Sequence, residues 1–225
     1  LALAYGGAEV GSWLCNHPFV DEIHITGSDR THDTIVWGSD KVERERRRAL
    51  GTPLLEKRIT SELGNITPVV VVPGDYSDAE LSAMAESISG MVTQNASFNC
   101  VSAKMLVLPR GWAGSEKLLA GLCDIFSRVA PRYAYYPGAR ERHQVLTREV
   151  EHVQTFGRAA EGMLPWTLIR GLDAKDANCL HFRMEPFCSI LSVVELDENE
   201  PVAFLRQATT FCNDTLWGTL NAMLF

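Results

Sequence analysis

The 225 residues, 46% hydrophobic and 22% charged, have the balance of an ordinary globular chain with room for one large domain or two small ones. A net charge of −7, from 21 Lys and Arg against 28 Asp and Glu, leaves no basic footprint for nucleic acid or an anionic membrane. No apolar run is long enough to span a bilayer, and the scattered cysteines and histidines show no zinc-ligand spacing, so neither a membrane segment nor a metal is expected.

In chain order, Leu1–Ala4 reads as a short strand leading into Tyr5-Gly6-Gly7-Ala8-Glu9-Val10-Gly11. Gly7 and Gly11 permit either a tight strand-to-helix turn or close approach to a phosphate. The helix that follows is expected to carry Val10, Trp13 and Leu14 inward and to stop near His17-Pro18, because proline disfavours helix in the residue before it. Ile23–Thr26 is a second strand. Gly27-Ser28-Asp29 then opens a helix, with Ser28 as N-cap, as a phosphate ligand, or as both. Lys41–Arg48 mixes both signs and reads as a solvated helical face with local ion pairs.

The stretch from Ser61 to Cys100 holds the chemistry. Glu62 stands at one end and Cys100 at the other, bracketing the strand Val69–Val72 and one helix, an arrangement able to return both groups to one sheet edge. A thiolate nucleophile and a general base are what covalent carbonyl chemistry requires. Ser77-Asp78-Ala79-Glu80 is a capping box, after which Leu81, Met84, Ala85 and Ile88 share a helical face. Further on come a strand at Met105–Leu108, a helix from Ser115, and a charged helix around Arg140–Val153. Strands follow at Trp166–Ile169 and Ile190–Leu196, then a helix with Val202, Leu205, Ala208 and Phe211 on its apolar face, and a final strand after Gly218. The alternation predicts an α/β architecture with mainly parallel sheet. Both ends, Leu1–Ala4 and Leu220–Phe225, are apolar, as in an internal piece of a longer chain.

Several segments, taken together, resemble the aldehyde dehydrogenase superfamily over nearly the whole chain. Gly7 to Gly11 resembles its G-x-x-x-G turn, and His17-Pro18 followed by Thr26-Gly27-Ser28 resembles its H-P…T-G-S segment. Glu62-Leu63-Gly64 with Pro68 is similar to E-L-G-G-x-x-P, and Asn95–Cys100 to N-x-G-Q-x-C. Glu185-Pro186-Phe187 is similar to E-x-F-G-P, and Asn213–Gly218 to N-x-x-x-Y-G-L. The family's pattern is departed from at His32, at Asn65 for the second Gly, at Phe98 for Gln, and at Cys188-Ser189 for Gly-Pro; the gap from Ser28 to Glu62 is also longer.

The resemblance implies residues 1–62 as the second half of a Rossmann-like dinucleotide-binding domain and 63–225 as most of a catalytic domain. It implies Cys100 as nucleophile and Glu62 as general base. It implies NAD or NADP held near Gly7, Gly11, Gly27, Ser28, Leu63, Glu185 and Phe187. The substrate would be a small-molecule aldehyde, oxidised to an acid through a thiohemiacetal and a thioester. The oxyanion would be held by the Cys100 N–H and by an asparagine that in the family lies upstream of Leu1. A cytoplasmic homo-oligomer is expected. Other readings of the same residues stay open: Cys100 as a buried thiol, Glu62 as an exposed loop carboxylate, and Glu185 as a partner of Arg183 or Arg170. A CoA-acylating enzyme, or a non-catalytic chain that binds dinucleotide or partner subunits, are the alternatives for function. Cys188 is expected to be structural.

Overall fold

A computed structural model describes residues 1–148, 150–218 and 220–225. Two compact units are present, Leu1–Gly64 and Asn65–Phe225.

In the first unit, residues 1–6 form no strand, contrary to expectation, and Leu1 and Leu3 are exposed. A strand exists by backbone pairing, and the sheet here has only two members, β1 (Glu22–Gly27) and β2 (Arg58–Leu63). Before them, α1 (Ala8–Asn16) ends at His17, as the following proline dictates. Val10, Trp13 and Leu14 do not point into a core: no residue of α1 is buried, and Trp13 instead packs its ring against His17 at 4.5 Å. Two helices, α2 (Asp29–Trp37) and α3 (Lys41–Leu50), make the crossover that two parallel strands require. The charged run is the ion-paired face its composition suggests: Glu43 bonds Arg46 and Arg47, and Arg48 reaches Asp33 at 2.7 Å.

The second unit is built on a six-stranded sheet. Its strands are β3 (Pro68–Val70), β4 (Met105–Pro109), β6 (His152–Phe156), β8 (Trp166–Leu172), β9 (Ile190–Leu196) and β10 (Met223–Leu224). A separate two-stranded pair joins β5 (Arg132–Tyr133) and β7 (Met163–Leu164). The order is β10-β3-β4-β9-β8-β6, parallel except for the antiparallel edge strand β6.

The helices of this unit are α4 (Asp78–Thr93), α5 (Ala113–Arg128), α6 (Ala139–Thr147), α7 (Leu180–Arg183) and α8 (Pro201–Asp214). Every residue of β4 is buried because both faces of the sheet are covered, which is what a continuous apolar run of strand length requires. Alternate side chains go to opposite sides. Leu106 and Leu108 join Leu81, Ile88, Leu118 and Phe126, while Met105 and Val107 join Phe182, Phe204 and Phe211.

The capping box at Ser77 and Glu80 forms as expected, and Leu81, Ala85 and Ile88 are buried beneath α4. Two expectations fail. The charged segment around Arg140–Val153 is helical only to Thr147 and then becomes β6; Glu149, within that span, lies outside the described residues. The polar-apolar alternation of His152–Phe156 satisfies an edge strand, and its backbone finds a partner in β8. In α8 the inward face is Phe204, Ala208 and Phe211, whereas Val202 is exposed. A 3–4 spacing from Phe204, not from Val202, places the larger ring inside.

Candidate active site

The amino-terminal edge of the six-stranded sheet gathers the second unit's candidate residues. After β3, α4 carries the chain back to that edge, so residues 94–104 enter β4 there. Glu185–Ser189 enters β9, the strand beside β4, from the same side. Glu62 is instead the last residue but one of β2, in a different sheet, so the two groups do not belong to one sheet edge as the bracketing pattern suggested.

The loop before Cys100 has an uncommon backbone. Asn95, Ala96 and Ser97 have φ of 49°, 54° and 67°, three successive left-handed residues without a glycine. Such residues cost about 1–2 kcal/mol each and persist where neighbours hold them. Here the neighbours are specific. Tyr135 donates its hydroxyl to Asn95 Oδ1 at 3.1 Å, and Asn95 Nδ2 donates to the Phe98 carbonyl at 3.2 Å. Phe98 is buried against Tyr135, Tyr136 and Phe187. At Ser97, Lys104 Nζ donates to the carbonyl at 2.6 Å and lies 3.0 Å from the hydroxyl.

Cys100, half-buried, is fixed through its own backbone. Its carbonyl accepts from Asn65 Nδ2 at 2.9 Å and from Thr67 Oγ1 at 3.2 Å. Both of these side chains are buried and also meet Asn221 Oδ1. Asn65, in sequence a departure from the family's second glycine, is therefore a direct support of the cysteine's main chain.

Phe187 sits at φ 40° and is held by Arg142, which donates to the Pro186 carbonyl at 2.8 Å and to the Phe187 carbonyl at 3.2 Å. Arg170 bonds Glu116 at 2.6 Å, and Arg183 lies 3.4 Å from Asn178 Oδ1. Lys104, wholly buried, is the cation in whose field Glu185, Cys188 and Cys100 all lie. Burial holds its pKa down at about 8, with Glu185 and Cys188 pulling it back up. Cys188 is fully buried, and desolvation pushes its thiol up to about 12, as suits a structural cysteine.

In the first unit, the register pairs Thr26 with Glu62 and Gly27 with Leu63, so Gly27, Ser28, Glu62 and Leu63 share the carboxyl edge of β1 and β2. Ser28 is the N-cap of α2, accepting from the Thr31 N–H at 3.2 Å. Gly7 caps α1 without a side-chain bond, and a Cβ built at Gly7 or Gly11 would meet nothing within 4 Å. Open glycine backbone at a helix start leaves room for an anionic group to approach.

Lys104, Asn65, Thr67 and Arg142 escaped sequence reading. Only Lys104 carried a signal: a single charge inside Val101–Leu108, a stretch otherwise without one, is either a strand-end surface group or a buried cation with a purpose.

Comparison with known proteins gives a consistent result. The aldehyde dehydrogenase family model matches residues 1–124. A protein of Staphylococcus haemolyticus, named "Putative aldehyde dehydrogenase", is 24% identical over 150 residues, 67% of this chain and 28% of that one. An NAD-dependent aldehyde dehydrogenase from Sinorhizobium meliloti superposes with a TM-score of 0.70 at 22% identity, covering 97% of this chain and 41% of its own. A 1-pyrroline-5-carboxylate dehydrogenase from Thermus with bound NAD gives 0.71 at 20% identity, covering 98% and 41%. The chain thus spans well under half the length of these relatives. With the family model matching more than half of it, the chain belongs to the aldehyde dehydrogenase family.

Proposed function

We propose that this chain carries the catalytic cysteine of an enzyme that oxidises an aldehyde to a carboxylic acid with NAD or NADP. The observation that supports this most is the fixation of Cys100. Its carbonyl is held by two buried side chains, and its loop is held in a left-handed turn whose Phe98 packs on Phe187. A buried thiol that only filled space would need neither.

In this reading the Cys100 sulfur attacks the aldehyde carbon, forming a C–S bond, and the carbonyl oxygen takes a proton to give a thiohemiacetal. Loss of hydride and a proton leaves a thioester on Cys100; the nicotinamide supplies the hydride acceptor when bound. Water then adds to the thioester carbon, the C–S bond breaks, and the acid leaves with the thiol restored. Glu62, matching the family's general base, takes the proton of that water.

Residues 1–62 are assigned as the second half of a dinucleotide-binding domain. The parallel β1–β2 pair and the open backbone at Gly7 and Gly11 support this, with Gly27, Ser28 and Leu63 on the same strand edge. Glu185 and Phe187 are assigned to the nicotinamide end, since Phe187 packs on Phe98 of the Cys100 loop and Glu185 lies in the field of Lys104, which bonds Ser97 of that loop.

The test is aldehyde-dependent formation of NADH or NADPH by the full-length protein and by Glu62→Gln. The variant should keep one rapid turnover and then release acid about 10²-fold or more slowly. Steady turnover by Glu62→Gln only when coenzyme A is added would show an acyl-transferring enzyme in place of a hydrolytic one. Dinucleotide binding without any reduction would support the non-catalytic alternative.

A further inference from the structure

Lys104 is a lysine with no exposed surface, and the chemistry proposed above gives it no step. An ammonium is costly to bury unless its hydrogen-bonding directions are used. Two of them converge on a single residue, the carbonyl and hydroxyl of Ser97, and the ammonium lies over the Phe187 ring at 5.6 Å from its centroid. Ser97 is the third of the left-handed residues, at the place where the N-x-G-Q-x-C pattern carries glycine. Glycine takes that conformation without steric cost, while serine does not. A side chain that resists the turn and a buried cation that grips that same residue therefore occur together, three residues before Cys100.

We propose that Lys104 is a positioning residue for Cys100, clamping Ser97 in the left-handed turn that the family's pattern leaves to glycine. The inference rests on Cys100 being the nucleophile. Lys104 takes no chemical step in this proposal; it acts through the loop and, at its other side, through Phe187. The serine hydroxyl supplies the second acceptor that a glycine would lack, so serine and lysine form a matched pair.

The pair predicts a pattern that a merely space-filling lysine would not produce. In the full-length protein, Lys104→Met should lower kcat at least tenfold while changing the aldehyde KM less than about twofold, because the loop and not the substrate pocket is disturbed. Adding Ser97→Gly to Lys104→Met should restore kcat at least threefold, since glycine holds the turn unaided. Taken singly, Ser97→Ala should cost more than Ser97→Gly, because alanine keeps the steric penalty and loses the hydroxyl acceptor. This last comparison stands even if Lys104→Met does not fold. Wild-type kcat in folded Lys104→Met, no recovery in the double variant, or Ser97→Gly losing as much as Ser97→Ala would each overturn the clamp. Unchanged turnover in Cys100→Ser would instead overturn the nucleophile assignment on which it rests, so the two failures are distinguishable.

Discussion

The two units solve the parallel-sheet problem in different ways. In Asn65–Phe225, β4 lies in the middle of six strands and both its faces are covered, so its five residues are all buried. In Leu1–Gly64, β1 pairs only with β2, and the buried apolar side chains are Val36 and Leu55. Two paired strands bury little by themselves, and what surrounds them here is capping and ion pairing at exposed helices. The contrast teaches where rigidity is available. The Cys100 loop, with its uncommon backbone, is anchored to the unit with the deep core, and strain of that kind persists only where packing over-determines it.

Hydrogen exchange tests this contrast at its largest. Amides of β4 and β9 should exchange at least about a hundredfold more slowly than those of β1 and β2, because opening the deep core costs more free energy. Equal protection would break the comparison. Truncating the cores gives the next effect. Phe126, fully buried against Phe156 and Trp166, should cost about 3–5 kcal/mol as Phe126→Ala in urea melts. Val36→Ala, which removes two methyl groups from the thinner core, should cost about 1.5 kcal/mol.

Lys104 sharpens the picture through pH. Its folded pKa of about 8 lies below the ordinary lysine value of 10.5, so between these the unfolded chain binds more protons than the folded one. The Lys104 contribution to stability therefore rises with pH across that window. The stability of the native chain relative to Lys104→Met should shift in favour of the native chain between pH 8 and pH 10.5, measured by urea melts at both ends. A shift of opposite sign would contradict an amine whose charged form is disfavoured by burial. The smallest effect belongs to the first unit's surface: the Arg58–Glu22 pair at 2.9 Å is exposed, and Arg58→Ala should cost less than about 0.5 kcal/mol.

What sequence made legible follows the strength of its local signals. Val69–Val72, Met105–Leu108 and the capping box at Ser77 lead to the elements they predict, because β-branched and apolar runs and cap chemistry act locally. Strand β2 was missed because Arg58–Leu63 carries just two apolar residues, Ile59 and Leu63, and becomes a strand by pairing with β1. Leu1–Ala4 has the apolar composition of a strand and no paired neighbour among the described residues. The candidate site divides in the same way. Cys100, Glu185 and Phe187 carried a motif, whereas Asn65 and Arg142 act by reaching across the fold, Asn65 to a carbonyl 35 positions away and Arg142 to one 44 positions away. Such contacts have no period and no spacing, and only the folded chain displays them.

The central claim, that Cys100 is the nucleophile, is tested most directly by trapping the acyl group on it. The full-length protein, mixed with aldehyde and NAD or NADP, is quenched in acid within the first turnovers and its peptides are weighed, with Glu62→Gln used to slow release. The account predicts the mass of the acyl group on the peptide that holds Cys100, and none on the peptides of Cys123, Cys188 or Cys212. Cofactor reduction with no adduct on Cys100, and undiminished in Cys100→Ser, would contradict it.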